Sequence, residues 1–317
     1  MNQPKFYPFK FKPIYKKLIW GGQKLREFFG KDLPAGEKIG ESWELADLSN
    51  DKSIIANGEL AGHTIGQAIT KFPLEIMGDK NFRGPFPVLI KFIDAQEVLS
   101  IQVHPDTQAC QRTGSGVPKT EFWYILAAEK DAVIYKGLKK GVTKEEFSQA
   151  IRSGTVVELL DKIPVKKGQC YFLPGGTVHS IGAGILIVEI QTPSDTTYRI
   201  FDWDRVDAGG KPRQLHITEA IATINFDSTD TSLVDASGGI VNCEYFKVCR
   251  RQNAKDSLRP LRTGQMHTLI ILKGCGVIES GGTIPVEFTA GDTLLVPAVY
   301  EGKMKFFAET EYLKVTI

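Results

Sequence analysis

Separate stretches of this chain carry side chains able to grip a metal ion. Ser100-Ile-Gln-Val-His-Pro105 sets Gln102 and His104 two residues apart on a β-like segment. Lys119-Thr-Glu121 puts a carboxylate beside an ammonium, and Pro174-Gly-Gly-Thr-Val-His179 places a histidine after a tight glycine turn. Side chains alternate along a strand, so Gln102 and His104 share one face, as do Lys119 and Glu121. Two imidazoles, one carboxylate and one amide oxygen suit a divalent ion such as zinc, with a position left for water or substrate. A lone histidine is more often a hydrogen-bonded structural group, and His63, His216 and His267 are read that way. Compatible ligands from several segments reverse that preference for His104 and His179.

Charged groups in apolar runs add a second set. Ile185, Ile187, Glu189 and Gln191 share a strand face, opposite Leu186, Val188 and Ile190. A carboxylate on such a strand is costly to bury unless paired, and Arg199 is its expected partner. Lys91 interrupts the apolar run 88–93; with Lys119 it can supply the local positive charge that a phosphate needs.

These residues must be held by strands. Short apolar runs separated by glycine-rich turns predict a mainly β protein. Strands are expected at 86–93, 99–103, 121–126, 132–135, 169–173 and 185–191. Helices are expected at 60–71 and 143–151, the latter opened by a Thr143/Glu146 capping box, with one more turn at 156–160 and a helix at 218–222. From about Asp227 a second set of short strands begins. The expected division is a catalytic domain at 1–226, with a small helical insert at 143–161, and a smaller β domain at 227–317. Lys167-Gly-Gln-Cys-Tyr-Phe-Leu-Pro174 and Ala290-Gly-Asp-Thr-Leu-Leu-Val-Pro297 form a faint repeat. Two related jelly-roll barrels, with the metal site in the first only, account for it.

Composition narrows the partners. A net charge of +2 over 317 residues offers no broad field for nucleic acid or anionic membrane. The opening residues lack the apolar core of a signal peptide, and no apolar run is long enough to span a bilayer. The five cysteines are scattered without CxxC pairs, as expected of free thiols in the cytoplasm. Oligomeric state is not legible.

Taken together, the chain resembles type I mannose-6-phosphate isomerase in its short bacterial form, a zinc enzyme family of the cupin superfamily. The resemblance is carried by Trp20-Gly-Gly, Ile39-Gly-Glu-Ser-Trp-Glu44, Leu99-Ser-Ile-Gln-Val-His-Pro-Asp106, Lys119-Thr-Glu-Phe-Trp-Tyr-Ile125, Pro174-Gly-Gly-Thr-Val-His-Ser-Ile-Gly182 and Ser194-Asp-Thr-Thr-Tyr-Arg199. It implies two cupin-type barrels and one Zn2+ per chain on Gln102, His104, Glu121 and His179. It also implies an active-site Arg199 with the acidic Glu189 before it, pocket lysines Lys91 and Lys119, and a far wall of Trp20 and Glu41. Gln102 stands where the general cupin pattern has histidine, and Ala183 where it often has asparagine.

The implied reaction interconverts mannose 6-phosphate and fructose 6-phosphate through an enediol(ate). Glu189, Glu41 and a metal-held water are the alternatives for the base, and Lys91, Lys119 and Arg199 for the phosphate. Gln102 binds either metal or substrate. A metal-dependent dioxygenase is disfavoured because Gln102 breaks the histidine-rich shell that redox iron prefers. A non-catalytic sugar- or metal-binding regulator would be expected to lose Arg199 and the lysines, which are present.

Overall fold

The computed structural model describes residues 5–207, 209–227, 233–234 and 241–317. Residues 1–4, and most of the stretch just after the expected boundary at 226, lie outside the described residues.

Among the described residues the fold is mainly β, with few helices, and stacks four sheets. A seven-stranded sheet runs in the order Leu233–Val234, Cys170–Leu173, Glu121–Ala128, Ile185–Gln191, Leu89–Ala95, Ile39–Leu45, Ile14–Gly22. A five-stranded sheet runs Tyr198–Phe201, Ile101–Val103, His179–Ile181, Val133–Leu138, Leu160–Pro164. Alternation decides what each face meets. Ile185 and Ile187 join Trp123, Ile125, Ile134 and Ile181 in a core between these two sheets. Leu186, Val188 and Ile190 point the other way, into a core shared with Val248, Ile270, Leu295 and Leu313 of the next sheet.

That next sheet has six strands, and a four-stranded sheet covers its far side; Leu269, Ile271, Leu294 and Tyr312 meet Ile278, Phe288, Met304 and Phe306 between them. Two sheet pairs thus lie back to back. The strand Phe9–Lys10 pairs with Thr293–Val296, so the N-terminal segment of the first sheet pair completes the second.

The helices pack on the outside. Lys144–Ser153 begins with the expected box: Thr143 Oγ1 accepts from Glu146 N, and Glu146 returns a bond to Thr143 N. It covers the outer face of the five-stranded sheet through Phe147 and Ala150, together with the turn at Val156–Leu159 and the helix Ile217–Thr223. Helix Ile65–Lys71 is shorter than the expected 60–71, because Thr64 caps it with Gln67 at N3. The helices Lys24–Phe29, Pro73–Met77 and Thr107–Thr113 had no sequence expectation; each is a short helix burying a single side chain, so apolar periodicity is absent. No helix among the described residues is long and apolar enough to cross a membrane.

The faint repeat is real in hydrogen bonding. Gly168 N donates to Ile125 O at 2.8 Å and Ile125 N to Gln169 O at 2.9 Å; Gly291 N donates to Ile271 O at 2.8 Å and Ile271 N to Asp292 O at 2.9 Å. Both glycines have φ of +88°, a left-handed conformation that explains why each turn keeps a glycine.

Candidate metal centre and adjoining cavity

Neighbouring strands bring the ligand-capable side chains together at one end of the first sheet pair. His179 pairs directly with Gln102 in the five-stranded sheet, and Glu121 opens the facing strand of the seven-stranded sheet. His104 follows the end of strand Ile101–Val103. Ligand atoms of His104, Glu121 and His179 lie within 4.8 Å of one another. His104 Nε2 is 3.1 Å from Glu121 Oε1, and His179 Nε2 is 3.8 Å from Glu121 Oε2.

Both rings are oriented from behind. His104 Nδ1 lies 2.8 Å from Thr196 O, and His179 Nδ1 lies 2.9 Å from Thr177 O. A carbonyl can only accept, so each Nδ1 carries the proton and each Nε2 lone pair faces Glu121. His104 Nε2 is buried with no hydrogen-bond partner, an orphan that a metal would satisfy. Burial, reinforced by the charge of Lys119, lowers His104 to about 3, and burial also lowers His179; both rings are therefore neutral, as ligation requires. Gln102 Nε2 lies 3.3 Å from His179 Nε2, and rotating the amide exchanges its nitrogen for its oxygen. The donor set is N, N, O with an amide oxygen in reach, which fits a divalent ion such as zinc. Among the described residues no other group of this kind occurs.

A cavity of about 170 Å³ adjoins Glu121. Trp20, Glu41, Lys91, Gln102, Lys119, Glu189 and Arg199 line it, while His104 and His179 stand behind Glu121. Its buried charges are paired. Lys91 Nζ is 3.0 Å from Glu189 Oε1 and 3.6 Å from Glu41 Oε2, and Lys119 Nζ is 2.9 Å from Glu121 Oε1. Burial opposes the charge on Lys91, but Glu189, Glu41 and Glu121 outweigh it and raise the ammonium. Burial also opposes ionisation of Glu121, yet the ammonium of Lys119 holds it well below the carboxylate range. Glu189 goes the other way: burial, then the charge of Glu121, raises it against the pull of Lys91.

The expected Glu189–Arg199 pair does not form. Glu189 is directly opposite Lys91 in the ladder, so its partner comes from the adjacent strand, whereas Arg199 belongs to the other sheet. Arg199 Nη1 instead donates to Gln214 O at 2.9 Å, and its Nε has no partner. Lys119 precedes its strand, which starts at Glu121, and still reaches that carboxylate.

Sequence reasoning missed Trp123 and Arg213. Trp123 Nε1 donates to Glu121 Oε2 at 3.1 Å and to Glu189 Oε2 at 3.0 Å, tying the two carboxylates together. Its signal was present, since Trp123 is two residues beyond Glu121 on the same face. Arg213 lines the cavity and is held by Asp202 through Nε at 2.7 Å and Nη2 at 2.5 Å. No motif marks it.

Comparison with known proteins gives the same answer. Residues 8–120 match the model of the phosphomannose isomerase type I catalytic domain. The chain is 37% identical over 302 residues to a probable mannose-6-phosphate isomerase, GmuF, of Bacillus subtilis, covering 92% of this chain and 94% of that one. It is 35% identical to the mannose-6-phosphate isomerase ManA of the same organism, covering 95% and 97%. The crystal structure of mannose 6-phosphate isomerase from Bacillus subtilis superposes with a TM-score of 0.87 at 30% identity, covering 99% of this chain and all of that one. A more distant structure, a mannose 6-phosphate isomerase bound with zinc and yttrium, shares the fold at a TM-score of 0.74 and 16% identity, covering 98% and 99%. The expectation from sequence motifs is therefore met: the chain belongs to the type I mannose-6-phosphate isomerases and is an aldose–ketose isomerase.

Proposed function

We propose that this chain is a metal-dependent isomerase that interconverts mannose 6-phosphate and fructose 6-phosphate through an enediol(ate), using the cavity beside Glu121. The observation that carries the reading is a buried His104–Glu121–His179 cluster whose Glu121 lines the same cavity as the Lys91–Glu189 pair. His104, Glu121 and His179 would hold the ion, with Gln102 turning its amide oxygen toward it. When bound there, a divalent ion supplies Lewis acidity toward the oxygens of the open-chain sugar.

The chain's own residues do the rest. Glu189, raised by burial and fixed by Lys91 and Trp123, is our choice of base over Glu41. It takes the proton from C2 of the aldose; the electrons of that C–H bond enter the enediolate. The same carboxyl returns the proton to C1, the C2 hydroxyl proton passes to O1, and the carbonyl is left at C2. Lys119 places positive charge beside the oxygens that become negative. Lys91 and Lys119 are already matched by carboxylates, whereas Arg199 has no carboxylate within ion-pair distance among the described residues. We therefore assign the substrate's phosphate to Arg199. Trp20 and Glu41 also line the cavity and would bound the substrate.

The two sheet pairs are read as two cupin-type barrels, divided near residue 226, the second without a metal. The test is an assay coupled to fructose 6-phosphate formation, run on chelated protein and after zinc is returned. Turnover lost and regained supports the reading. Calorimetric binding of mannose 6-phosphate without any turnover would favour a regulator instead.

A further inference from the structure

The matched turns at Gly168 and Gly291 put the two sheet pairs in register, residue for residue. Glu121 lies opposite Leu173, and His267 lies opposite Val296, at the same point of the repeat. Glu189 is cross-strand from Trp123, and Lys314 is cross-strand from Leu269 in the same way. His179 pairs with Gln102, and Gly302 pairs with Leu261. The second sheet pair thus has His267 in the place of Glu121, Lys314 in the place of Glu189, Gly302 for His179 and Leu261 for Gln102. Both carboxylates are replaced by basic residues, and the ligands needed for a metal are gone.

The mouth that results is a cavity of about 270 Å³ lined by Arg259, Arg262, Gln265, His267, Tyr312 and Lys314. The basic groups converge because they share the inward face: Arg259 lies two residues from core residue Leu261, Lys314 from Tyr312, and His267 from Leu269. None of Arg251, Arg259, Arg262 or Lys314 has a carboxylate within ion-pair distance among the described residues. Burial lowers Lys314, and the charges of Arg251 and Arg259 lower it further, so this crowding is uncompensated. His267 is 4% exposed, and its Nε2 has no partner. Its Nδ1 lies 3.3 Å from Gln265 O and so carries the proton, which leaves Nε2 as a buried acceptor.

An acceptor ringed by cations asks for a ligand with both negative charge and a hydroxyl. We infer that this mouth binds the phosphate ester of a small polyol, the phosphate held by Arg259 and Lys314 and a ligand hydroxyl donating to His267 Nε2. The cavity, about 270 Å³, is small and favours a compact phosphate ester. The site is separate from the catalytic cavity, shares no residue with it and does not depend on the catalytic assignments.

The five histidines make the ring Cε1–H signals of the full-length protein a direct readout, with His267→Gln assigning the one of interest. Glycerol 3-phosphate should move the His267 signal saturably, at concentrations at least tenfold below those of inorganic phosphate, and glycerol should leave it in place. Lys314→Met should weaken that titration at least tenfold while leaving isomerase turnover unchanged. Arg259→Gln, on a half-buried strand position, should do the same and guards against misfolding of the first variant. A His267 signal unmoved by glycerol 3-phosphate, or a titration unaffected in both variants, would overturn the site. Equal response to inorganic phosphate and to the ester would overturn the polyol ester as its ligand.

Discussion

The two sheet pairs place different charges at equivalent points of one backbone plan. In the first mouth, Lys91 and Lys119 each sit against a carboxylate, and neutral histidine rings aim their lone pairs at Glu121. In the second mouth, Lys314 and Arg259 crowd a neutral His267 with no acid to balance them. The backbone repeat sets where side chains point; their identity decides whether the mouth suits a cation or an anion. A fold shared by both halves therefore does not imply a shared function.

Making the first mouth resemble the second should have the largest effect. Glu121→His removes a ligand atom and the partner of Lys119, and turnover in the coupled assay should fall a thousandfold or more, about 4 kcal/mol of barrier. Retained turnover would mean that the charge pattern is incidental. Lys91→Met leaves Glu189 buried without its counter-ion, which should cost about 3–4 kcal/mol in denaturant unfolding. An unchanged midpoint would show that Trp123 alone satisfies the carboxylate.

The second mouth has its own signature in pH. Burial, then Lys314, lowers His267 from 6.5 to about 4. A depressed histidine is neutral in the fold, so the stability it contributes is complete above pH 6.5 and is lost as pH falls toward 4. The other charged groups around it are Lys314, Arg251 and Arg259, with the Tyr312 phenol raised by burial. Relative to His267→Gln, the wild type should lose up to about 3 kcal/mol between pH 6.5 and 4 in urea titrations. Parallel stability curves would show that the ring is not shielded. The smallest effect is expected for Arg199→Ala, with KM raised about thirtyfold, the ~2 kcal/mol of a charge-assisted hydrogen bond, and kcat little changed. A loss in kcat at constant KM would move Arg199 from the phosphate to the reacting carbons.

Much of the first mouth was legible because its signals are local. His104 and His179 stand at strand ends beside proline or glycine turns, Gln102 is two residues before His104, and alternation alone separates Glu189 from Val188. Pairing across strands was not legible. Glu189 was expected to meet Arg199, ten residues on, but ladder register gives it Lys91, nearly a hundred residues away in sequence. Arg213 is in the cavity because Asp202 holds it there, and nothing nearby in sequence says so. His267 was read as structural for want of a motif; its meaning appears only when the hydrogen bonds of Ile125 and Ile271 align the two halves. Short helices such as Thr107–Thr113 were missed because Asp106 caps them while only Ala109 is buried, leaving no periodic stripe to read.

In the proposed mechanism His104, Glu121 and His179 clasp one catalytic ion. Elemental analysis of the purified chain, paired with turnover before and after chelation, tests it most directly. The purified chain should carry one divalent ion, lose turnover on its removal and regain it when zinc is restored. Full isomerase activity in protein stripped of metal would contradict it.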